Sequence, residues 1–248
     1  MTRTSEGTTV HDGADAQRAA WRSLPARMFV TLAALDTLLV LAYFALIAMG
    51  RERTEFFGVF NLDKEANLPS WYAGTQLFVI AIGYLVLGSG LIPERRKVAV
   101  LRPLWLVLGL GFTMLSADEV SSFHERMGQT LFRMKVFNVR FVDQWMVLYL
   151  FVGACAVLIF GRYLLRAWRE WRFEAILFVL GFAVLASGAF AVEMAQIIRR
   201  WVGARLLLQA GVEEWLELFG ATILVLPAYR ILAYVMMPEA EDDSSTTV

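Results

Sequence analysis

Residues 104–123 read LWLVLGLGFTMLSADEVSSF, and this stretch indicates what class of protein the chain belongs to. Positions 104–115 contain no charged side chain, and a polar segment that includes Asp118 and Glu119 follows directly. An α-helix needs about 20 apolar residues to cross the hydrocarbon core of a bilayer. The stretch therefore predicts a membrane-spanning helix that ends in ionisable groups.

The composition of the whole chain agrees with that interpretation. Of its 248 residues, 58% are hydrophobic and 19% are charged, and the mean hydropathy is +0.56. These values are typical of a multi-pass membrane protein rather than of a soluble domain. The formal net charge is zero, so the charge balance gives no reason to expect a nucleic-acid partner. We expect the lipid bilayer to be a partner, and a small-molecule or lipid substrate is possible. The sequence does not indicate an oligomeric state.

Further apolar runs of similar length complete the predicted fold. The sequence predicts an all-α integral membrane bundle of about six transmembrane helices, at 28–49, 71–92, 104–123, 144–165, 174–197 and 212–236. The polar composition outside these runs divides the chain into three parts. Residues 1–24 are predicted to form a flexible polar N-terminal tail, 25–237 the six-helix domain, and 238–248 an acidic C-terminal tail.

The basic residues indicate the orientation of the bundle. The segment before the first run and the connections after the second and fourth runs carry Arg18, Arg22, Arg27, Arg95, Arg96, Lys97, Arg102, Arg162, Arg166, Arg169 and Arg172. The other connections are less one-sided: the first mixes basic with acidic residues, and the third also carries Arg126, Arg133, Lys135 and Arg140. Basic loops stay on the cytoplasmic side, so both termini are predicted to be cytoplasmic. The four arginines after the fourth run, with Trp168 and Trp171 among them, are typical of an interfacial helix on anionic lipid. We expect a multi-pass protein of a bacterial plasma (inner) membrane.

Acidic residues from three predicted helices meet the opposite, outer leaflet under this topology. Carboxylates in a bilayer core are costly, so they normally face the bundle interior and pair with each other or with a cation. Several carboxylates and one imidazole on neighbouring helices are typical of a divalent-metal site. The sequence thus predicts a zinc, manganese or iron site, formed by Asp118, Glu119, His124, Glu193, Glu214 and Glu217. A metal-dependent membrane enzyme would use such a site, although no catalytic residue can be assigned from the sequence.

Two other functions remain open. Asp36 lies in the middle of the first predicted span, away from the outer acidic residues, which is typical of an ion- or proton-coupled transporter. Alternatively, the protein is a non-catalytic membrane subunit whose polar side chains hold its helices together by hydrogen bonds. The spacing weakens the metal hypothesis, because Glu119 and His124 are five positions apart and do not form the Glu-x-x-His pattern of carboxylate metal bundles.

Three motifs carry a resemblance to a known group of proteins. They are FNLDKEANLPSWYAG at 60–74, SADEVSSFHE at 116–125 and EEWLELFG at 213–220. Together they resemble a group of uncharacterised bacterial polytopic membrane proteins with a Leu-Asp-x-Glu-x-Asn-Leu-Pro-x-Trp loop, an Asp-Glu…His-Glu element and a late Glu-Glu pair. The resemblance implies a multi-pass membrane protein. It implies no function, because that group has no assigned activity.

Overall fold

The chain folds into helices throughout the part that the structure describes. The computed structural model describes residues 6–62, 64, 66–92, 95–134, 144–202 and 206–237, without the side chains of 6–14, 125, 132, 144–146, 189–202 and 206–210. Within these ranges the helices are α1 Glu6–Ala48, α2 Glu55–Phe60, α3 Leu68–Ser89, α4 Arg96–Ala99, α5 Arg102–Ser121, α6 Phe123–Arg133, α7 Gln144–Glu170, α8 Arg172–Val202 and α9 Leu206–Met236. The predicted all-α class is confirmed for these residues.

Among the described residues, five helical segments are long and apolar enough to cross a membrane, which indicates a membrane protein. They are Asp15–Ala48 in α1, Leu68–Ser89, Arg102–Ser121, Val147–Glu170 in α7 and Gly211–Met236 in α9. Each of them overlaps a predicted run. The remaining predicted run, 174–197, falls within α8, whose side chains from position 189 onward lie outside those described.

Helix extends into the segment predicted as a flexible tail, and the division of the chain into two tails and a membrane domain stays a prediction. Helix α1 begins at Glu6 and continues without a break through Pro25 and into the first predicted span. Four alanines between positions 14 and 20 favour this extension, because alanine has the highest intrinsic helix propensity. The predicted acidic C-terminal tail, 238–248, lies outside the described residues.

Helix α9 lies at the centre of the bundle. It packs along α8, α1 and α3, and α5 packs against α3. The backbones of α8 and α9 lie so close together that a Cβ at Gly220 of α9 would collide with the backbone of Leu185 on α8. Small residues such as glycine allow this close approach of two helices. Helix α7 is peripheral, since none of its most apolar stretch is buried.

An aromatic cluster fills the space between α3, α5 and α8. Tyr84 is almost fully buried and stacks on Trp105 and Phe112, with ring centroids 5.8 Å and 6.0 Å away. Phe178 of α8 meets the Tyr84 ring edge-on at 6.4 Å. Offset-stacked and edge-on aromatic pairs add to the free energy gained from burial alone, so this cluster fixes how the three helices sit together.

Basic side chains from several helices gather at one end of the bundle. Arg95, before α4, donates a hydrogen bond to the carbonyl of Met237 at 2.6 Å, and its guanidinium lies 4.7 Å from the centre of the Tyr234 ring. Arg230 of α9 donates to Glu174 of α8 at 3.1 Å. The start of α4, the start of α8 and the end of α9 therefore lie at the same end, as a bundle of alternating helices requires.

Candidate functional site

A buried polar network surrounds Asp36 in the middle of the bundle. The Asp36 side chain belongs to α1 and is 0% exposed. Its Oδ1 accepts hydrogen bonds from the Tyr72 hydroxyl at 2.8 Å and the Gln76 amide at 2.7 Å, both on α3. Its Oδ2 accepts one from the Thr222 hydroxyl of α9 at 2.7 Å. One carboxylate thus joins three helices.

The groups around this carboxylate also bond to one another. The Gln76 amide nitrogen lies 2.9 Å from the Thr222 hydroxyl and 3.1 Å from the Tyr72 hydroxyl, whose oxygen also lies 3.2 Å from the Leu32 carbonyl oxygen. Gln76 Oε1 is buried and has no hydrogen-bond partner among the described residues. A buried amide oxygen without a hydrogen-bond donor costs about 1–3 kcal/mol of folding free energy, so the network contains one unsatisfied acceptor.

The donors to Asp36 are all neutral. Among the described side chains, no basic group forms an ion pair with this carboxylate. Asp36 lies twelve residues before the end of α1 at Ala48, a distance of about 18 Å along a helix. A bilayer core is about 30 Å thick, so a membrane-embedded Asp36 would lie near its middle.

A second cluster occupies the break between α5 and α6. Helix α5 ends at Ser121, and Ser122 takes a left-handed conformation with φ of +53° before α6 begins. This turn brings the backbone N–H of His124 to Asp118 Oδ1 at 2.7 Å. Asp118 Oδ2 lies 3.1 Å from His124 Nδ1 and accepts the Tyr149 hydroxyl of α7 at 2.7 Å.

Asp118 is therefore used as an internal hydrogen-bond acceptor. It is buried, it satisfies a backbone donor in the first turn of α6, and it orients the His124 imidazole. A carboxylate on Nδ1 fixes the ring orientation and tautomer, so that proton transfer or ligand binding would occur through Nε2.

Acidic side chains of α5 and α9 form a third cluster. Glu217 lies close enough to Glu119 and Glu213 for their charges to interact. A glycine on the neighbouring helix α8 makes room for Glu217, because a Cβ at Gly188 would collide with Glu217 Cγ. Carboxylates from two of the three predicted helices thus lie together.

Four of the six residues predicted to bind metal lie in two of these clusters. Asp118 and His124 bind each other, Glu119 and Glu217 lie in the acidic cluster, and Glu214 is half-buried in α9. The Glu193 side chain lies outside the described ones. Within the described part of the chain, no group of three or more His, Cys, Asp or Glu side chains has an arrangement suited to a metal ion. The zinc, manganese or iron site stays a prediction.

The partners of Asp36 and Asp118 were not evident from the sequence. Tyr72 and Gln76 are four residues apart, so they share a helix face, and this polar pair in an apolar run is a usable signal. Thr222 and Tyr149 lie among apolar residues and carry no comparable signal, because single hydroxyls are common in membrane helices.

Comparison with known proteins places the chain in a family. Neither the curated proteins nor the solved structures gave a match. One family model, described as "Domain of unknown function (DUF8692)", matches residues 25–231. That range includes Asp36, Asp118 and the acidic cluster together with the helices that carry them. Since the match covers most of the chain, this protein belongs to the DUF8692 family.

Proposed function

We propose that this protein is a proton-coupled membrane transporter in which Asp36 binds and releases the proton. One observation carries this proposal: the fully buried Asp36 carboxylate receives hydrogen bonds only from neutral groups among the described residues. Hydrogen bonds stabilise a buried carboxylate but do not neutralise it. In a medium of low dielectric constant such a charge is stabilised by taking up a proton or pairing with a cation.

The dimensions of the network favour a proton over a metal ion. The oxygen and nitrogen atoms around Asp36 are separated by hydrogen-bond distances, between 2.7 Å for Gln76 to Asp36 and 3.1 Å for Gln76 to Tyr72. A metal ion would have to separate these groups, whereas a proton fits between two of them without moving either. The site would therefore exchange protons without enlarging.

The same groups can serve both charge states of Asp36. With Asp36 ionised, the hydroxyls of Tyr72 and Thr222 donate to it. With Asp36 protonated, its new O–H can donate to either hydroxyl oxygen, because a hydroxyl is both donor and acceptor. Rotation of the Gln76 amide would also offer Oε1, the atom that has no partner in the ionised arrangement described.

Protonation would couple to helix movement through these bonds. Hydrogen bonds to an ionised group are about twice as strong as neutral ones. Loss of the Asp36 charge would weaken the connection of α1 to α3 and α9 at one point in the core. A ligand that binds one arrangement of the helices better than another shifts the population between them, and here the proton is that ligand.

The acidic cluster supplies a route from one end of the bundle. Glu217 lies five residues before Thr222 on α9, which is about 7.5 Å along the helix axis. Glu119 and Glu213 lie beside it, between Asp36 and the end of the bundle opposite the basic residues. Intramembrane carboxylates placed in series are typical of proton relays.

Infrared spectroscopy tests whether Asp36 is protonated. We would record pH-difference spectra of the protein in lipid nanodiscs and follow the carbonyl stretch of protonated carboxyl groups. Asp36→Asn preserves the size of the side chain and resembles the protonated acid in being neutral with both a donor and an acceptor, and it should remove one titrating carboxyl band. Glu174→Gln, which changes a carboxylate paired with Arg230, is the matched control and should leave that band in place.

If Asp36 were only a structural acceptor, it would stay ionised at every accessible pH. Asp36→Asn and wild type would then give the same carboxyl bands, and the proposal would be wrong. A loss of folding in Asp36→Asn would be detected separately from its helix content, and Asp36→Glu would then take its place, with a shifted carboxyl band as the expected result.

A further inference from the structure

Three arginines form a basic groove at the end of α7. Arg162, Arg166 and Arg169 are spaced by four and seven residues, so they share one helix face. Together with Leu165 and Glu170 they line a shallow cavity of about 470 Å³. The sequence pattern predicts an interfacial helix for these arginines. The structure instead continues α7 without a break to Glu170.

The groove begins where the apolar surface of α7 ends. Leu158 and Ile159, just before the first arginine, are 82% and 68% exposed. In a bilayer this apolar face lies against acyl chains, and the last turns of a span lie at the level of the lipid headgroups. Tyr163 and Trp168 are aromatic residues of the kind that mark this interface.

The charges of the groove suit a phosphate group. Arg166 donates to Glu170 Oε1 at 2.7 Å, so one of the three positive charges is compensated. Arg162 donates to the Tyr163 hydroxyl, a neutral group, at 2.9 Å. Guanidinium groups bind phosphate oxygens through paired, charge-assisted hydrogen bonds. The uncompensated positive charge of the groove therefore favours an anion.

The groove also contains an acceptor that lacks a donor. Glu170 Oε2 is buried and has no hydrogen-bond partner among the described residues. A bound phosphate alone would not satisfy this oxygen, because phosphate oxygens are mainly acceptors at neutral pH. A ligand that carries a hydroxyl group next to its phosphate would satisfy the arginines and Glu170 together.

We propose that the groove binds the headgroup of one anionic glycerophospholipid. Its phosphate would bind Arg162 and Arg169, a headgroup hydroxyl would donate to Glu170 Oε2, and its acyl chains would lie along the exposed face of α7. The basic end of the bundle is the cytoplasmic end under the positive-inside rule, so the lipid would come from the cytoplasmic leaflet. This site is independent of the proton site at Asp36.

Lipid titration of the full-length protein tests the proposal. We would add short-chain phosphatidylglycerol to the protein in neutral detergent and count bound lipids by native mass spectrometry. The expected result is one saturable phosphatidylglycerol per chain, with phosphatidylcholine bound about tenfold more weakly, since its headgroup has no net charge and no hydroxyl. Inorganic phosphate in a competing arm should not displace the lipid.

Matched variants separate the groove from general charge effects. The triple variant Arg162→Gln, Arg166→Gln and Arg169→Gln should weaken phosphatidylglycerol binding about tenfold or more. The control, Arg22→Gln, Arg27→Gln and Arg96→Gln, removes the same charge from exposed positions elsewhere and should bind like wild type. If the triple variant misfolds, Arg169→Gln alone should still weaken binding severalfold.

Two results would overturn the proposal. Equal loss of binding in both triple variants, or unchanged binding in the groove variants, would show that the lipid binds elsewhere or through overall charge. Displacement of phosphatidylglycerol by inorganic phosphate at similar concentrations would show a general phosphate site rather than a lipid site.

Discussion

Ser122 adopts a backbone conformation that serine seldom takes, and it holds the Asp118 cluster in place. Its φ of +53° ends α5 and turns the chain so that His124 can donate to Asp118. The left-handed conformation costs about 1 kcal/mol for a residue with a Cβ. The geometry around Asp118 therefore depends on a locally unfavourable backbone.

Glycine substitutions at adjacent serines test this dependence. Ser122→Gly should stabilise the protein by up to about 1 kcal/mol, because glycine takes a positive φ without steric penalty. Ser121→Gly lies within α5 and should destabilise by about 0.5–1 kcal/mol. The free energy of unfolding in detergent would be compared for the two variants. Destabilisation by both would contradict a strained turn at Ser122.

At the scale of single residues, the sequence predicts some of the residues in the two polar clusters but not their hydrogen-bond partners. Asp36 was recognisable because a carboxylate in the middle of an apolar run is rare. Its partners were not, since Thr222 resembles many other hydroxyls in membrane helices. The predicted third run extends to residue 123, whereas α5 ends at Ser121. No local pattern around Ser122, such as a glycine, signalled that break.

At the scale of helices, close contact between α8 and α9 depends on the absence of a side chain at Gly220. An added Cβ there would meet the backbone and Cβ of Leu185 rather than a movable side-chain tip. A rigid neighbour cannot yield, so the helices must separate or tilt to accept the extra atom. Because α9 is the central helix, that change would also reach its contacts with α1 and α3.

Alanine substitutions at two glycines test this packing. Gly220→Ala should destabilise the protein by about 1–3 kcal/mol through overpacking. Gly111→Ala, on the exposed side of α5, has no atom within 4 Å of its added Cβ and should be neutral or slightly stabilising. Thermal unfolding of both variants in the same detergent gives the comparison. A Gly220→Ala variant as stable as Gly111→Ala would contradict the close approach.

Helix positions were predictable from the sequence, but helix neighbours were not. Apolar runs of span length imply helices because a chain in lipid must satisfy its own backbone hydrogen bonds. The runs are apolar on most of their faces and so resemble one another, which leaves little pattern to show that α9 lies between α1, α3 and α8. The polar positions were more informative, since Asp36, Gln76 and Thr222 mark the faces on which three of these helices meet.

At the scale of the whole molecule, the acidic cluster and the Arg230–Glu174 pair lie toward opposite ends of α9. Glu213 and Glu217 belong to the first half of this helix and lie near Glu119, whereas Arg230 is close to its end at Met236. If α1 crosses a bilayer, Asp36 lies twelve residues from its end at Ala48, near the middle of the span. A proton that reaches Asp36 from either side would cross part of the membrane electric field, and such movement of charge can be recorded as a current.

A pH jump on membrane-adsorbed proteoliposomes measures this charge movement directly. Because the proton itself would move within the membrane, this measurement can be made without knowing the transported solute. Wild type and the Glu174→Gln control should give a transient current after the jump, and Asp36→Asn should give only the signal of protein-free liposomes. A current in Asp36→Asn equal to that of wild type would contradict the assignment of Asp36 as the proton-binding residue.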